Sequence, residues 1–215
     1  MAIGGDGPAG GAAVRDGDVP LIGVLALQGG FEAHARVLRR LGAEVREVRT
    51  AAGLEGLDGL VIPGGESTTM TLGIEREGLA EPLRELLAPP PAGRGVPVLG
   101  SCAGLIMLDR QHLGLMDVVA RRNAFGRQIN SFEAPLTIGG IDGPPLRGVF
   151  IRAPYIAEHG PGVQILAEVD GHPVAAREGN MLAVAFHAEL TDDVRLHRLF
   201  LDAVERYVAG RPLHY

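Results

Sequence analysis

The sequence is short of the residues that brace many folds. Of its 215 residues one is cysteine, none is tryptophan, and 4% are aromatic. One cysteine excludes an internal disulfide and any metal site built from several thiolates. A lone free thiol suits a reducing compartment, so a cytoplasmic location is expected. Positive charge is outnumbered, 20 Lys and Arg against 26 Asp and Glu, for a formal net charge of −6. Nucleic acid therefore has no basic footprint to bind. No apolar run reaches the ~18 residues of a membrane span. The first 20 residues lack a basic segment followed by an apolar one, so they do not read as a signal peptide but as a flexible tail.

What is present is aliphatic. Hydrophobic residues make up 46% of the chain, enough for one sizeable α/β domain over 21–215 with a core of Ala, Val, Leu and Ile. "LIGVLAL" (21–27) suits a strand buried on both faces. Phe31, Ala35, Leu38 and Leu41 recur at three- and four-residue spacing, which predicts an amphipathic helix stopped by Gly42. Strands follow at 43–49 and 57–65, then helix over 68–88 broken near Gly78, a loop at 89–95, and a strand at 96–100. Strands alternating with helices imply a mostly parallel open sheet with helices on its faces. From Asp117 to Phe186 the pattern is strand-rich, including "RGVFIRAPYI" (147–156) as one run, and some of these strands are expected to add to the sheet antiparallel. A last amphipathic helix carries Val194, Leu196, Leu199, Phe200, Ala203, Val204 and Tyr207 as its apolar stripe.

The cysteine stands in "VPVLGSCAGLIML", where a buried strand ends at Gly100 and a helix starts after Cys102. A sharp strand-to-helix turn needs small neighbours, here Gly100, Ala103 and Gly104. It presents the thiol above the carboxyl ends of the strands, beside the positive end of a helix that favours a thiolate. The Ala103 N–H then becomes an oxyanion donor. A free cysteine is more often a small buried hydrophobe, but these flanks favour a nucleophile. Such a nucleophile needs a base and a group to orient it. Six of the seven histidines read as solvated surface residues: His34 and His197 on helices, His112 in a loop, His159 and His172 in turns, and His214 at the end. His187 instead follows the apolar strand "MLAVAF", and Glu189 is two residues on, where a carboxylate can orient an imidazole. In "VIPGGESTTM" (61–70), Gly64 and Gly65 permit close backbone approach, the Gly65 N–H can serve as second oxyanion donor, and Glu66, Ser67 and Thr68 can cap the next helix.

A glycine-rich loop, a cysteine elbow and a late His-x-Glu, in this order, resemble the class I (triad-type) glutamine amidotransferases. "IGVLALQGGFEAH", "LDGLVIPGGESTTM", "GSCAGLIML", "RNAFGRQ" and "FHAELTDD" resemble more closely the glutaminase subunits of pyridoxal 5′-phosphate synthase, over residues 21–209. The resemblance implies a three-layer, flavodoxin-like α/β fold and hydrolysis of L-glutamine to L-glutamate and ammonia without a cofactor or metal. It makes Cys102, His187 and Glu189 the triad, and Gly65, Glu66, Ser67, Arg122, Ile151 and Arg152 the substrate-binding residues. The partner it implies is the synthase subunit, a barrel enzyme in a hetero-oligomer that receives the ammonia. Another amidotransferase's glutaminase, or a non-catalytic regulatory subunit, are the alternatives. Two features depart from the family. Ala188 stands where His-Pro-Glu is usual, and the stretch between the elbow helix and "HLGLMDV" is short.

Overall fold

A computed structural model of the chain describes residues 19–122 and 131–210. The expected alternation holds in the first half: β1 (Leu21–Leu25), α1 (Phe31–Arg40), β2 (Glu44–Val48), β3 (Gly59–Ile62), α2 (Ser67–Arg76), α3 (Ala80–Leu87), β4 (Val98–Ser101) and α4 (Ala103–Leu108). Gly78, at φ +61°, separates α2 from α3. Then come β5 (Val118–Arg121), β6 (Ser131–Leu136), β7 (Leu146–Ile151), β8 (Tyr155–His159), β9 (Gln164–Val169), β10 (His172–Glu178), β11 (Met181–Val184) and α5 (Arg195–Val208). Most of the expected N-terminal tail, the "NAFGRQ" motif, His214 and the last five residues lie outside the described residues.

The main sheet has seven strands in the order β2-β1-β3-β4-β11-β10-β9. The first five are parallel, and β10 and β9 extend the sheet antiparallel. Other strands of the second half stand apart, as an antiparallel β5–β8 pair and an antiparallel β6–β7 pair. The run 147–156, expected as one strand, is two. Arg152 adopts φ +46° after β7, and the chain turns through Ala153 and Pro154 before β8 begins. Proline there cannot donate to a ladder, which helps end the pairing.

Every residue of β3, β4 and β11 is buried, as continuous apolar runs in a two-sided sheet should be. Alternate residues serve different helices. A Cβ on Gly59 would meet Phe200 and Val204 of α5, whereas Ile62, three residues on, faces α4. Three of the nine Phe and Tyr residues meet at one junction. Phe150 of β7 stacks on Phe132 of β6 at 4.6 Å and tilts against Phe186 at 5.7 Å. Such contacts contribute about 0.5–1.5 kcal/mol each beyond burial, and they moor the outlying hairpin to the segment after β11.

Register fixes the working edge. Ile62 pairs with Gly100, and Ser101 pairs with Val184. The loops that leave β1, β3, β4 and β11 therefore emerge side by side at the carboxyl edge, where open α/β sheets hold ligands.

Candidate active site

Cys102 sits between β4 and α4 at φ 49°, ψ −101°. This conformation costs about 1–3 kcal/mol for a residue with a side chain, and the Cys102 N–H is tied to the Val184 carbonyl at 2.8 Å. Two glycines make the turn possible. A Cβ on Gly104 would collide with the Ile62 carbonyl oxygen, and one on Gly100 would lie 2.8 Å from the Gly104 carbonyl. Cys102 is 6% exposed, with Sγ 4.0 Å from the Ile151 carbonyl oxygen. The Ala103 N–H opens α4 and has no acceptor within the helix's own bonding.

His187 follows β11, its N–H bonded to the Val149 carbonyl at 2.8 Å. Its ring lies beside Cys102, both within reach of a Cβ on Gly64, and meets Glu189 Oε1 through Nδ1 at 2.7 Å on the other side. Burial opposes a charge on this imidazole, but the neighbouring Cys102 and Glu189 outweigh it and raise the pKa to about 10. Burial also opposes the Glu189 charge, yet His187 and His34 hold its carboxyl well below the usual range. The three residues expected to form a triad are thus brought together.

Two histidines overturn the sequence reading. His34 and His197, expected on the solvated faces of their helices, are both fully buried. His34 Nε2 lies 3.2 Å from Glu189 Oε2, off the line of an ideal hydrogen bond. His34 Nδ1 lies 2.9 Å from His197 Nε2. Helical position could have revealed them. His34 is three residues after Phe31 and four before Leu38, and His197 is three before Phe200, so both occupy apolar stripes. Ser101, also unforeseen, is buried beneath the carboxylate. Its hydroxyl donates to the Phe186 carbonyl at 3.0 Å and lies 3.4 Å from Glu189 Oε2.

The glycine loop after β3 is held by the loop after β1. The Gly30 N–H donates to the Gly64 carbonyl at 2.9 Å, and the Glu66 N–H donates to Gln28 Oε1 at 2.8 Å. The Gly64–Gly65 peptide is planar, so its N–H points away from Gly30. A Cβ on Gly64 would strike His187 Cε1 and stand 3.2 Å from Cys102 Cβ. Of the expected cap residues, Glu66 is the one that caps α2. It accepts from the N–H groups of Thr68 and Thr69, which lower its pKa to about 2. Ser67 is buried as the first residue of the helix. Gln28 and Gly30 had only the polar-glycine run "QGG" after a strand to mark them.

The remaining expected residues ring this centre. Arg122 Nη1 is 3.4 Å from Thr68 Oγ1, so this exposed side chain reaches the start of α2. Ile151 is 40% exposed, with its carbonyl on the thiol, and Arg152 follows it at the left-handed turn.

Comparison with known proteins gives the chain a family. A family model described as the SNO glutamine amidotransferase family matches residues 24–206. The chain is 50% identical over 201 residues to the pyridoxal 5′-phosphate synthase subunit PdxT of Frankia alni, covering 89% of this chain and 98% of that one. It is 50% identical over 198 residues to the subunit of the same name from Dehalococcoides mccartyi, covering 87% and 99%. A crystal structure titled as a glutamine amidotransferase superposes with TM-score 0.78 at 42% identity, covering 86% of this chain and 98% of that one. The PurLQS structure from Thermotoga maritima, at 17% identity and TM-score 0.65, covers 90% and 99% and shares the fold.

Proposed function

Because the chain belongs to the SNO glutamine amidotransferase family, we propose that it hydrolyses the side-chain amide of L-glutamine through Cys102, His187 and Glu189, as the glutaminase subunit of a pyridoxal 5′-phosphate synthase. The ammonia passes to the synthase subunit, a barrel enzyme, within a hetero-oligomer. One observation carries the catalytic part: the thiol, the imidazole and the carboxylate converge where β4 and β11 end side by side.

The chemistry follows from the groups present. The Cys102 thiolate attacks the amide carbon, and the carbonyl electrons move to oxygen. The N–H groups of Gly65 and Ala103 receive that oxyanion, and loss of one such donor costs on the order of 10²–10³ in kcat. His187, held protonated by its neighbours, gives its proton to the departing nitrogen as the carbon–nitrogen bond breaks, which releases ammonia and leaves a glutamyl thioester. The neutral imidazole then takes a proton from water as the water attacks, and glutamate leaves with the thiolate restored. Glu189 orients the ring throughout. Gly65, Glu66 and Ser67 line the substrate's approach with Ile151, and Arg122 and Arg152 receive its carboxylate. Glu66 spends its side chain on α2 and its N–H on Gln28, so its part is to hold the loop in place.

The test is glutamate release by the full chain, alone and with a purified pyridoxal 5′-phosphate synthase subunit. The expected result is slow release alone, stimulation by the partner, and loss of activity in Cys102→Ala. Full activity in that variant would overturn the nucleophile. A high rate that ignores the partner would overturn the coupling.

A further inference from the structure

We propose that His34 is a positioning residue of the glutamine-hydrolysing site: from α1 it braces the second carboxylate oxygen of Glu189, and His197 on α5 locks its ring. The inference rests on the function proposed above and concerns a layer behind the triad.

The two oxygens of Glu189 have different duties. Oε1 meets His187 at 2.7 Å, while Oε2 faces His34 Nε2 at 3.2 Å and the Ser101 hydroxyl at 3.4 Å. With Oε1 alone engaged, the carboxylate could swing about its terminal bond and carry His187 with it. Ser101 is a poor brace, because its one proton is directed to the Phe186 carbonyl at 3.0 Å. His34 is the group left to fix Oε2. The start of α1 lies close enough for this: a Cβ on Gly30 would sit 3.1 Å from Glu189 Oε1.

The proton arrangement follows by elimination. An ionised carboxylate only accepts, so His34 Nε2 must carry a hydrogen. Burial pushes the His197 pKa down to about 3, so His197 is neutral. Its Nδ1 has no polar partner among the described residues. A buried lone pair without a partner is better tolerated than a buried N–H without one. His197 therefore donates from Nε2 to His34 Nδ1, and the hydrogen on His34 Nε2 is left facing Glu189 Oε2 at 3.2 Å, a bent contact and not a linear hydrogen bond. The donors converge on Glu189, from His34 on one side and from His187 Nδ1 on the other. The ring nitrogens face one another at hydrogen-bond distance instead of converging on a point, and among the described residues no cluster is placed to hold a metal ion.

Groups that bear on the row come from every packed element. Glu189 is faced by His187, His34 and Ser101, and His187 by Glu189 and Cys102; His197 feels His34, Glu189 and Arg40. Without His34, the Glu189 charge is shared with one imidazole fewer and acts more strongly on His187. The ionisation of His187 then moves to higher pH.

The experiment measures glutamate release by the full chain saturated with the synthase subunit, for the wild type, Cys102→Ala, His34→Leu and His34→Gln. His34→Leu should lower kcat about 10- to 100-fold, the range seen where the lost group orients a metal-binding imidazole. KM should stay unchanged, and the basic limb of the kcat/KM profile should move up. His34→Gln, which keeps an N–H near Oε2, should recover most of the loss. Wild-type kcat and pH profile in a folded His34→Leu would overturn the inference, as would equal damage in both variants. Should His34→Leu not fold, nitrogen-15 spectra of the histidines in the wild type decide. Protonated Nε2 on both His34 and His197 is expected, and a bare Nε2 on His34 overturns the arrangement. A wild type that releases no glutamate, or an active Cys102→Ala, would instead refute the glutaminase reading itself.

Discussion

Gly64 has no side chain, and the site leaves no room for one. A Cβ there would strike the His187 ring and press on Cys102. Gly64→Ala should therefore push the His187 ring off Glu189, lowering stability and also lowering kcat about 100-fold, as an ångström of displacement does at a reacting centre. Glutamate release beside a melting curve checks both halves. The His187–Glu189 pair makes a second prediction. The depressed Glu189 pKa stabilises the fold fully above its ordinary value of 4.5, and this is lost as the pH falls through the depressed value. The raised His187 pKa stabilises fully below the ordinary 6.5, and this is lost as the pH climbs through about 10. Both act in full between about pH 4.5 and 6.5. Glu189→Gln should destabilise by about 3–5 kcal/mol there, the cost of breaking a buried pair, and by less toward pH 10. Denaturant midpoints across pH are the measure. Cys102, His187 and Glu189 were legible because each follows an apolar strand in a short motif. His34 and His197 were not, since residue type suggested a surface while helical position placed them inside.

At the scale of elements, α4 depends on touching β3. Its Gly104 lies against the Ile62 carbonyl, with no side chain between. Gly104→Ala must lift the helix, because backbone cannot give way as a side-chain tip can. The expected cost is about 1–3 kcal/mol, the usual penalty for overpacking, seen as a lower urea midpoint at an unchanged slope. The departure from His-Pro-Glu has an opposite expectation. Ala188 opens a one-turn 3-10 helix, Ala188–Leu190, and His187 before it has ψ 89°. A first helical position tolerates proline, and a residue before proline favours the extended side of the map. Ala188→Pro should raise stability by about 0.4–1 kcal/mol through the unfolded chain, with kcat unchanged. Helices and buried strands were readable from periodicity and apolar runs. The break between β7 and β8 was not, because it is set by a left-handed Arg152, a residue type that gives no warning of such a turn.

Across the whole molecule, stability should grade outward from the middle of the sheet. β3, β4 and β11 are wholly buried, whereas β6 alternates with solvent in a two-stranded pair. Hydrogen exchange should find the amides of β4 and β11 opening only with global unfolding, and those of β6 and β7 opening locally. Equal protection in both would contradict this. The parallel half was legible as alternating strand and helix. The pairing of the second half was not, since local pattern does not reveal which strands join the main sheet.

The insertion of β11 between β4 and β10 also orders events on the ribosome. His187 is made 85 residues after Cys102, a lag of about 4–17 s at ordinary rates of synthesis. Until β11 slots in beside β4, the elbow has neither its base nor the Val184 carbonyl that ties its backbone. A growing chain thus carries an idle thiol, and glutamine in the surrounding cell is spared until β11 is in place.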